Sequence, residues 1–478
     1  MRRYIYLVIF ILCATLTLGK GIQLDDLLMG EYTEDTVISK EFKTVQAVKI
    51  ATIDPIEVKD QYSTRAIKNL YDTLFIVGDS GEITPNLVKT WNWDDDRTLT
   101  LNLRDDVIFH NGDKLNSNSV KESLDRMRKK AVFKDFYNDI ENIYIVDDDT
   151  LKIRLKGKNN MFLSMLTYEM SSIVKDNNGK LIGTGPYKLN SVNNRELVMT
   201  KNNEYFKKKT SPEKIIITYE VSERGRIISF FNENVDAVSD LTKRSLLKSQ
   251  EEGLISSDAI VRKRKEIDTV ALMFGNEPLF KNREVRKTLE SILDTEELGE
   301  KIFDTEGAKS FFPKELFKPK LSILKPSKVD KNVINKLKNQ NIELVILNDN
   351  RSIALGEAIK KQLKKYGINI IVTPYQHEAY LMKIEKKNYQ LALYDILFNE
   401  DYLIYNLGRV MIYDIGDLDM YNATKPFIDI MKNENKKENQ DKIYDKIVSL
   451  MYKNIPFIPI VHSEGIVVGN EKLKEVDI

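Results

Sequence analysis

Three histidines, His110, His377 and His462, are the first candidates for chemistry, because imidazole both ligates metals and titrates near neutral pH. They lie in three separate regions, and none has a second histidine or a cysteine three or four residues away. A metal cage is therefore not expected. The acidic triplets Asp94 to Asp96 and Asp147 to Asp149 would be the next candidates, as a calcium loop or paired carboxylates. Each stands just before an alternating apolar stretch and lacks further oxygen ligands at loop spacing, so each reads as a hairpin turn. The chain has no Gly-x-Ser-x-Gly, no phosphate-cradling loop and no dinucleotide fingerprint. The expectation is a protein that binds rather than catalyses, with no cofactor.

The elements that must position any site begin with a chain of 478 residues, 42% of them hydrophobic. That is too long for one core and predicts about two or three domains. Lys+Arg (73) and Asp+Glu (72) nearly cancel, so the charge gives no reason to expect nucleic acid or an anionic membrane surface as a partner. Met1-Arg2-Arg3 followed by the apolar run Tyr4 to Leu18 has the shape of a secretory signal, with Thr17 and Gly19 as small residues before a cut after Gly19. Lipid attachment at Cys13 is the alternative, although Leu12 is bulky for it. If Gly19 is the cut, the mature chain has no cysteine and no disulfide, which suits an oxidising compartment.

Further along, a strand is expected over Gln46 to Thr52, ended by Asp54-Pro55. Thr98 to Leu103 and Thr150 to Leu155 alternate as strands do. Ile215 to Val221, a helix containing Ile227 to Phe231, and Val235 to Ala237 form one βαβ-like unit. Ile342 to Leu347, a helix over Ile353 to Tyr366 stopped by Gly367, and Ile368 to Thr373 form a second. Pro456 to Val468 reads as an apolar extended segment returning the chain to its first lobe.

Ordered short motifs then carry a resemblance. Tyr71-Asp72-Thr73-Leu74-Phe75, Gly81 with Pro85, Val88 to Trp91, Leu103-Arg104, Phe109-His110-Asn111-Gly112 and Val120 to Met127 follow one another. Gly183-Thr184-Gly185-Pro186-Tyr187, Phe280 with Val285-Arg286-Lys287, Ala354 to Ile370 and Pro456-Phe457-Ile458-Pro459 come after them. In this order they resemble the extracellular solute-binding proteins of family 5, the large peptide-, dipeptide-, oligopeptide- or nickel-binding receptors of ABC importers. The matches run from about Val45 to about Val468.

The resemblance implies an α/β, periplasmic binding protein-like fold of the large three-domain type, with two lobes joined by a two-strand hinge near 262–270 and 459–467. It implies a signal peptide over 1–19 and a first lobe from 20–60, 178–265 and 464–478. A second domain inserted at 61–177 lies remote from ligand, and a second lobe spans 266–463. In the family's pattern Val88 to Trp91 ends a helix, and Phe280 to Arg286 opens a long one.

It also implies a function: an extracytoplasmic receptor, expected as a monomer, that captures a short peptide between its lobes and delivers it to an ABC permease and its ATPase subunits. A nickel chelate or another small solute on the same fold is the alternative, and a secreted hydrolase is disfavoured by the histidine count. In peptide-binding relatives a strand at Leu391 to Leu403 (LALYDILFNEDYL) carries a tryptophan and, three residues on, an aspartate that pairs with the peptide amine. Here Ile396 stands for the tryptophan and Asn399 for the aspartate. Asn399 keeps a hydrogen-bond acceptor and loses the charge, which Asp401 or Asp395 would then supply. The alternative is that these acids only flank a strand. Tyr394 and Tyr402, with Tyr375, Tyr380 and Tyr405, are candidate pocket aromatics.

Overall fold

The computed structural model describes residues 40–476 apart from 59, 79–81, 131–133, 208–211, 304, 314–328, 399–417 and 435. The sequence-based assignments to the signal region, Cys13, Asn399, Asp401, Tyr402 and Tyr405 lie outside the described residues.

A ten-stranded mixed sheet forms the frame. At one end Tyr187–Val192, Glu196–Lys201, Lys214–Tyr219, Glu41–Gln46 and Ala237–Leu241 lie side by side, and at the other Leu391–Phe398, Asn341–Leu347 and Asn369–Tyr375. Two long antiparallel strands, Ile260–Phe274 and Phe457–Gly469, connect the ends. Their pairing has an irregularity where Lys263 faces Ile466 but Ile267 faces Glu464. On one side of that slip the pair continues into Ala237–Leu241, and on the other into Leu391–Phe398. Each long strand thus serves both halves of the sheet, the arrangement expected of a two-strand hinge.

Both βαβ units are present. Lys214–Tyr219, helix Glu223–Phe231 and Ala237–Leu241 form the first, with Glu41–Gln46 inserted between the two strands and parallel to both. Asn341–Leu347, helix Asn350–Lys364 and Asn369–Tyr375 form the second, with Gly367 in the left-handed region at φ +77° where the helix stops.

Residues 88–155 build a separate antiparallel sheet from Val88–Trp93, Thr98–Leu103, Thr150–Leu155 and Ile140–Ile145, with helix Ser117–Lys130 against it. Leu151, Ile153 and Leu155 are buried, as their alternation requires. Both acidic triplets are its hairpin turns: Asp94 N–H donates to Thr98 O at 2.9 Å and Val146 N–H to Thr150 O at 2.9 Å.

Three local expectations are corrected. The first strand is Glu41–Gln46, not Gln46 to Thr52: Phe42, Thr44 and Val45 are buried between two neighbouring strands, while the backbone N–H groups of Ala51 and Thr52 leave the sheet and donate to Ser63 Oγ at 3.1 and 3.2 Å. Val88 to Trp91 is strand, not helix end, because Val88–Trp93 pairs with Thr98–Leu103 across the Asp94 turn. Phe280 lies in the first of two short helices, Pro278–Lys281 and Arg283–Ile292, instead of opening one long one. Asn282 ends the first and caps the second through its side chain.

Several of the residues that carry the resemblance, Asp72, His110, Gly183, Thr184 and Gly185, gather at one structural joint. Gly183 and Gly185 pass so close to Leu70 that an added Cβ would sit 2.2 Å and 2.5 Å from its backbone. His110 donates its backbone N–H to Gly183 O at 2.8 Å and its Nε2–H to Gly185 O at 3.0 Å. Buried Asp72 accepts from Asn86 Nδ2 at 3.2 Å, Thr184 Oγ1 at 2.9 Å and Tyr205 Oη at 3.1 Å. Burial pushes the His110 imidazole down to about 4, so it is neutral and structural.

Candidate functional site

A cleft opens where three helix starts meet. Asp60 caps helix Gln61–Leu70 by accepting from Ser63 N, and Asp349 caps Asn350–Lys364 by accepting from Ser352 N. The third, His377–Glu385, begins at Gln376 with no side-chain cap. In both capped helices the residue two positions after the cap, Tyr62 or Arg351, lines the cavity. Strand residues Leu393, Tyr394 and Asp395 form the floor, and Val270 brings in one of the long connecting strands. The cavity of about 80 Å³ has room for several water molecules.

Its charges are paired. Arg351 Nη2 stands 2.6 Å from Asp395 Oδ2, with both side chains about a third exposed to the cleft (29% and 34%). The guanidinium also lies 5.8 Å from the Phe303 ring centroid. Tyr62 packs from the opposite wall. Burial, and then the nearby carboxylate of Asp240, holds its hydroxyl protonated far above the usual tyrosine value, while Asp395 adds to this and Arg351 opposes it.

Behind Tyr62, Arg65 Nη2 pairs with Asp240 Oδ1 at 2.6 Å, both nearly buried, and its guanidinium lies 5.4 Å from the Tyr62 ring centroid. Asp240 takes φ +61° in a strand irregularity that turns its carboxylate toward this arginine. Helix Gln61–Leu70 is thereby pinned to the sheet, which fixes where Tyr62 points.

At the rim, Lys49 pairs with Glu378 across the two walls. Burial lowers the His377 imidazole below its usual range, against the raising influence of Asp60, so at neutral pH it is uncharged. Its Nδ1 and the Oε1 of Gln61 are buried without a hydrogen-bond partner among the described residues.

Of the site residues expected from sequence, Tyr394 and Asp395 line the cavity, as does Tyr380, whose hydroxyl donates to Leu393 O at 2.6 Å. Ile396 is fully buried in the core and registers with Thr269 on the neighbouring strand, so it forms no wall. Tyr375 donates to Glu343 Oε1 at 3.3 Å and is not among the lining residues. Sequence reasoning missed Asp60, Tyr62 and Arg351. The repeated Asp-x-x-Ser capping pattern, Asp60 to Ser63 and Asp349 to Ser352, was the available signal, because it marks helix starts just where α/β sheets place their ligands. Among the described residues no group of three His, Cys, Asp or Glu gathers as a metal site, and no helix is long and apolar enough to cross a membrane.

This architecture has solved counterparts. The structure of NikA from Staphylococcus aureus in complex with Ni(L-His)2 superposes with a TM-score of 0.78 at 20% identity, covering 91% of this chain and 95% of that one. DppA from Helicobacter pylori in complex with the peptide STSA does so with a TM-score of 0.78 at 20% identity, covering 90% and 94%. In sequence, the nickel-binding protein NikA of S. aureus is 22% identical over 472 residues, 92% of this chain and 91% of that protein. The glutathione-binding protein GsiB of Escherichia coli K12 is 28% identical over 176 residues, 34% of each chain. Residues 82–403 match the family described as bacterial extracellular solute-binding proteins, family 5. With most of its length inside that match, the chain belongs to the family 5 extracellular solute-binding proteins, which serve ABC transporters outside the cytoplasm.

Proposed function

We propose that this protein is the extracytoplasmic receptor of an ABC importer, capturing short peptides between its two lobes and handing them to the permease. The observation that carries this reading is the cleft itself. It has facing walls from Tyr62 on one side and Arg351, Tyr394 and Asp395 on the other, with one positive side chain, Arg351, and two negative ones, Asp395 and the helix-capping Asp60, among its lining. A short peptide has a carboxylate and an ammonium to match them, and buried charges of a ligand need such partners. The lobes of this proposal are those expected from sequence, 20–60, 178–265 and 464–478 against 266–463 with 61–177 inserted, except that the start of the insertion is not remote from the ligand, because helix Gln61–Leu70 brings Gln61 and Tyr62 to the cleft. Export by cleavage after Gly19 completes the proposal, and the working form is a monomer.

Capture is binding and closure with no covalent step. Among the acids near the family's amine anchor, Asp395 is the one within the described residues, and it lines the cleft. The second reading, a metal-chelate receptor, is favoured by the similarity to NikA over 92% of this chain. Melting curves separate the two. A ligand at about a hundred times its dissociation constant adds roughly 2.7 kcal/mol, so a short-peptide pool should raise the melting temperature. A shift with nickel–histidine and none with the peptide pool would replace the first reading by the second.

A further inference from the structure

Lys432 directly follows helix Leu418–Met431 and is gripped twice by a distant part of the chain. Its Nζ lies 2.8 Å from Asp139 Oδ2, and its carbonyl accepts the N–H of Asn160 at 2.9 Å. The carboxylate is prepared for this on its own side. Asp139 Oδ2 also accepts from Nδ2 of the buried Asn159 at 2.9 Å, and the Asp139 carbonyl accepts Lys156 N–H at 2.8 Å. A helix end leaves carbonyls without an intrahelical partner and favours a cation beside it, so this end suits both contacts.

The two sides of the contact belong to different bodies of the chain. Asp139, Asn159 and Asn160 lie in the insertion, which is tied to the first lobe through the joint of Asp72, His110, Gly183 and Gly185. Helix Leu418–Met431 is tied to the second lobe. Asn454, at the end of the next helix, donates to Met420 Sδ at 3.6 Å, and Tyr452 Oη of that helix donates to Lys309 O at 3.1 Å. The contact, between residues 293 apart in sequence, therefore spans the two bodies that the long strands Ile260–Phe274 and Phe457–Gly469 connect. The same bodies also touch where Lys49 pairs with Glu378 and where Arg244 donates to the Lys301 carbonyl.

We infer that Asp139, Asn160 and Lys432 form a clasp by which the insertion holds the two lobes in their closed arrangement. This rests on the two-lobe receptor reading and gives the inserted domain a part in closure. With side chains 30% and 21% exposed, the Asp139–Lys432 pair shifts an equilibrium by only about a few-fold. That magnitude suits a clasp that must part again, because it sets the balance between open and closed without locking it. Weakening it lowers the fraction of closed receptor, and with it the apparent affinity, without touching the ligand.

The test is double electron–electron resonance on the full chain carrying Cys13→Ser, with spin labels at Tyr144→Cys on the insertion and Ile371→Cys on the second lobe, both exposed positions. Distances are measured without added solute, with the short-peptide pool and with nickel–histidine. Lys432→Gln and Asp139→Asn should each raise the ratio of long to short distances several-fold in solute-free protein. The double variant should go no further than either alone, because the two residues act as one unit. Lys432→Arg, which keeps the charge, should restore the wild-type ratio, and high salt should move the wild type toward the variants. If Asp139→Asn does not fold, Lys432→Gln and Lys432→Arg decide.

The same distances in wild type and Lys432→Gln, or no rescue by Lys432→Arg, would overturn the inference. If either solute still shortens the distance under that result, the two-lobe reading stands. One fixed distance in every sample removes both.

Discussion

His462 Nδ1 and Thr269 Oγ1 lie 2.8 Å apart, and the two residues are register partners on the two long strands that join the halves of the sheet. Nε2 of the same ring faces Ser310 O at 3.0 Å, so it carries the proton and Nδ1 accepts from the threonine hydroxyl. Burial holds this imidazole at about 4, below its ordinary 6.5.

Acid should therefore loosen the connecting strands. For a histidine whose folded value is depressed, the stabilisation is complete above about 6.5 and is lost as pH falls toward about 4, up to roughly 3 kcal/mol per residue. His110, also held at about 4, acts in the same direction. Melting temperature measured from pH 7.5 to 4 should fall most steeply below 6.5, and less steeply in His462→Gln. An identical profile in that variant would contradict the assignment.

Gly183 to alanine should be among the most damaging single changes. Its Cβ would meet Leu70 O at 2.2 Å, a backbone atom that cannot rotate away. Overpacking of this kind costs about 1–3 kcal/mol or more. Chemical denaturation should show that loss, whereas Gly179→Ala, with open space around it though its φ is +82°, should lose less.

Asp72→Ala leaves Thr184 and Tyr205 without their shared buried acceptor, while Asn86 keeps its second bond, to Thr73 O at 3.0 Å. Each unsatisfied group costs about 1–3 kcal/mol, so a loss of about 3 kcal/mol or more in urea unfolding is expected. Asp72→Asn, which keeps one oxygen acceptor, should lose less.

Arg65→Ala should both destabilise the chain and disturb the cleft. The Arg65–Asp240 pair is nearly buried, with side chains 12% and 9% exposed. Removing one member leaves an uncompensated charge at about 3–5 kcal/mol. Because Arg65 also lies over Tyr62, tyrosine fluorescence should report the change. A loss below 1 kcal/mol would show that the pair is not holding the helix.

The parts of this fold that were legible in sequence are those where one periodicity dominates. Asn341–Leu347, Asn350–Lys364 and Asn369–Tyr375 show it in strand, helix and stop glycine. Legibility failed where tertiary pairing outweighed local pattern. Glu41–Gln46 is a central strand only because Lys214–Tyr219 and Ala237–Leu241 flank it, and neither partner is near in sequence. The site was harder still. Tyr394 and Asp395 were visible because they fall in a family segment, but Arg351 and Tyr62 become cleft residues only when helices more than two hundred residues apart begin at the same place.

Native mass spectrometry of the full chain, incubated with a short-peptide pool and freed of unbound solute, tests the central claim most directly. The expected result is a one-to-one complex whose added mass is that of a small zwitterionic peptide, displaced when Arg351 is replaced by Gln. A chain whose mass is unchanged by the peptide pool, and which gains the mass of a nickel–histidine chelate instead, would contradict it.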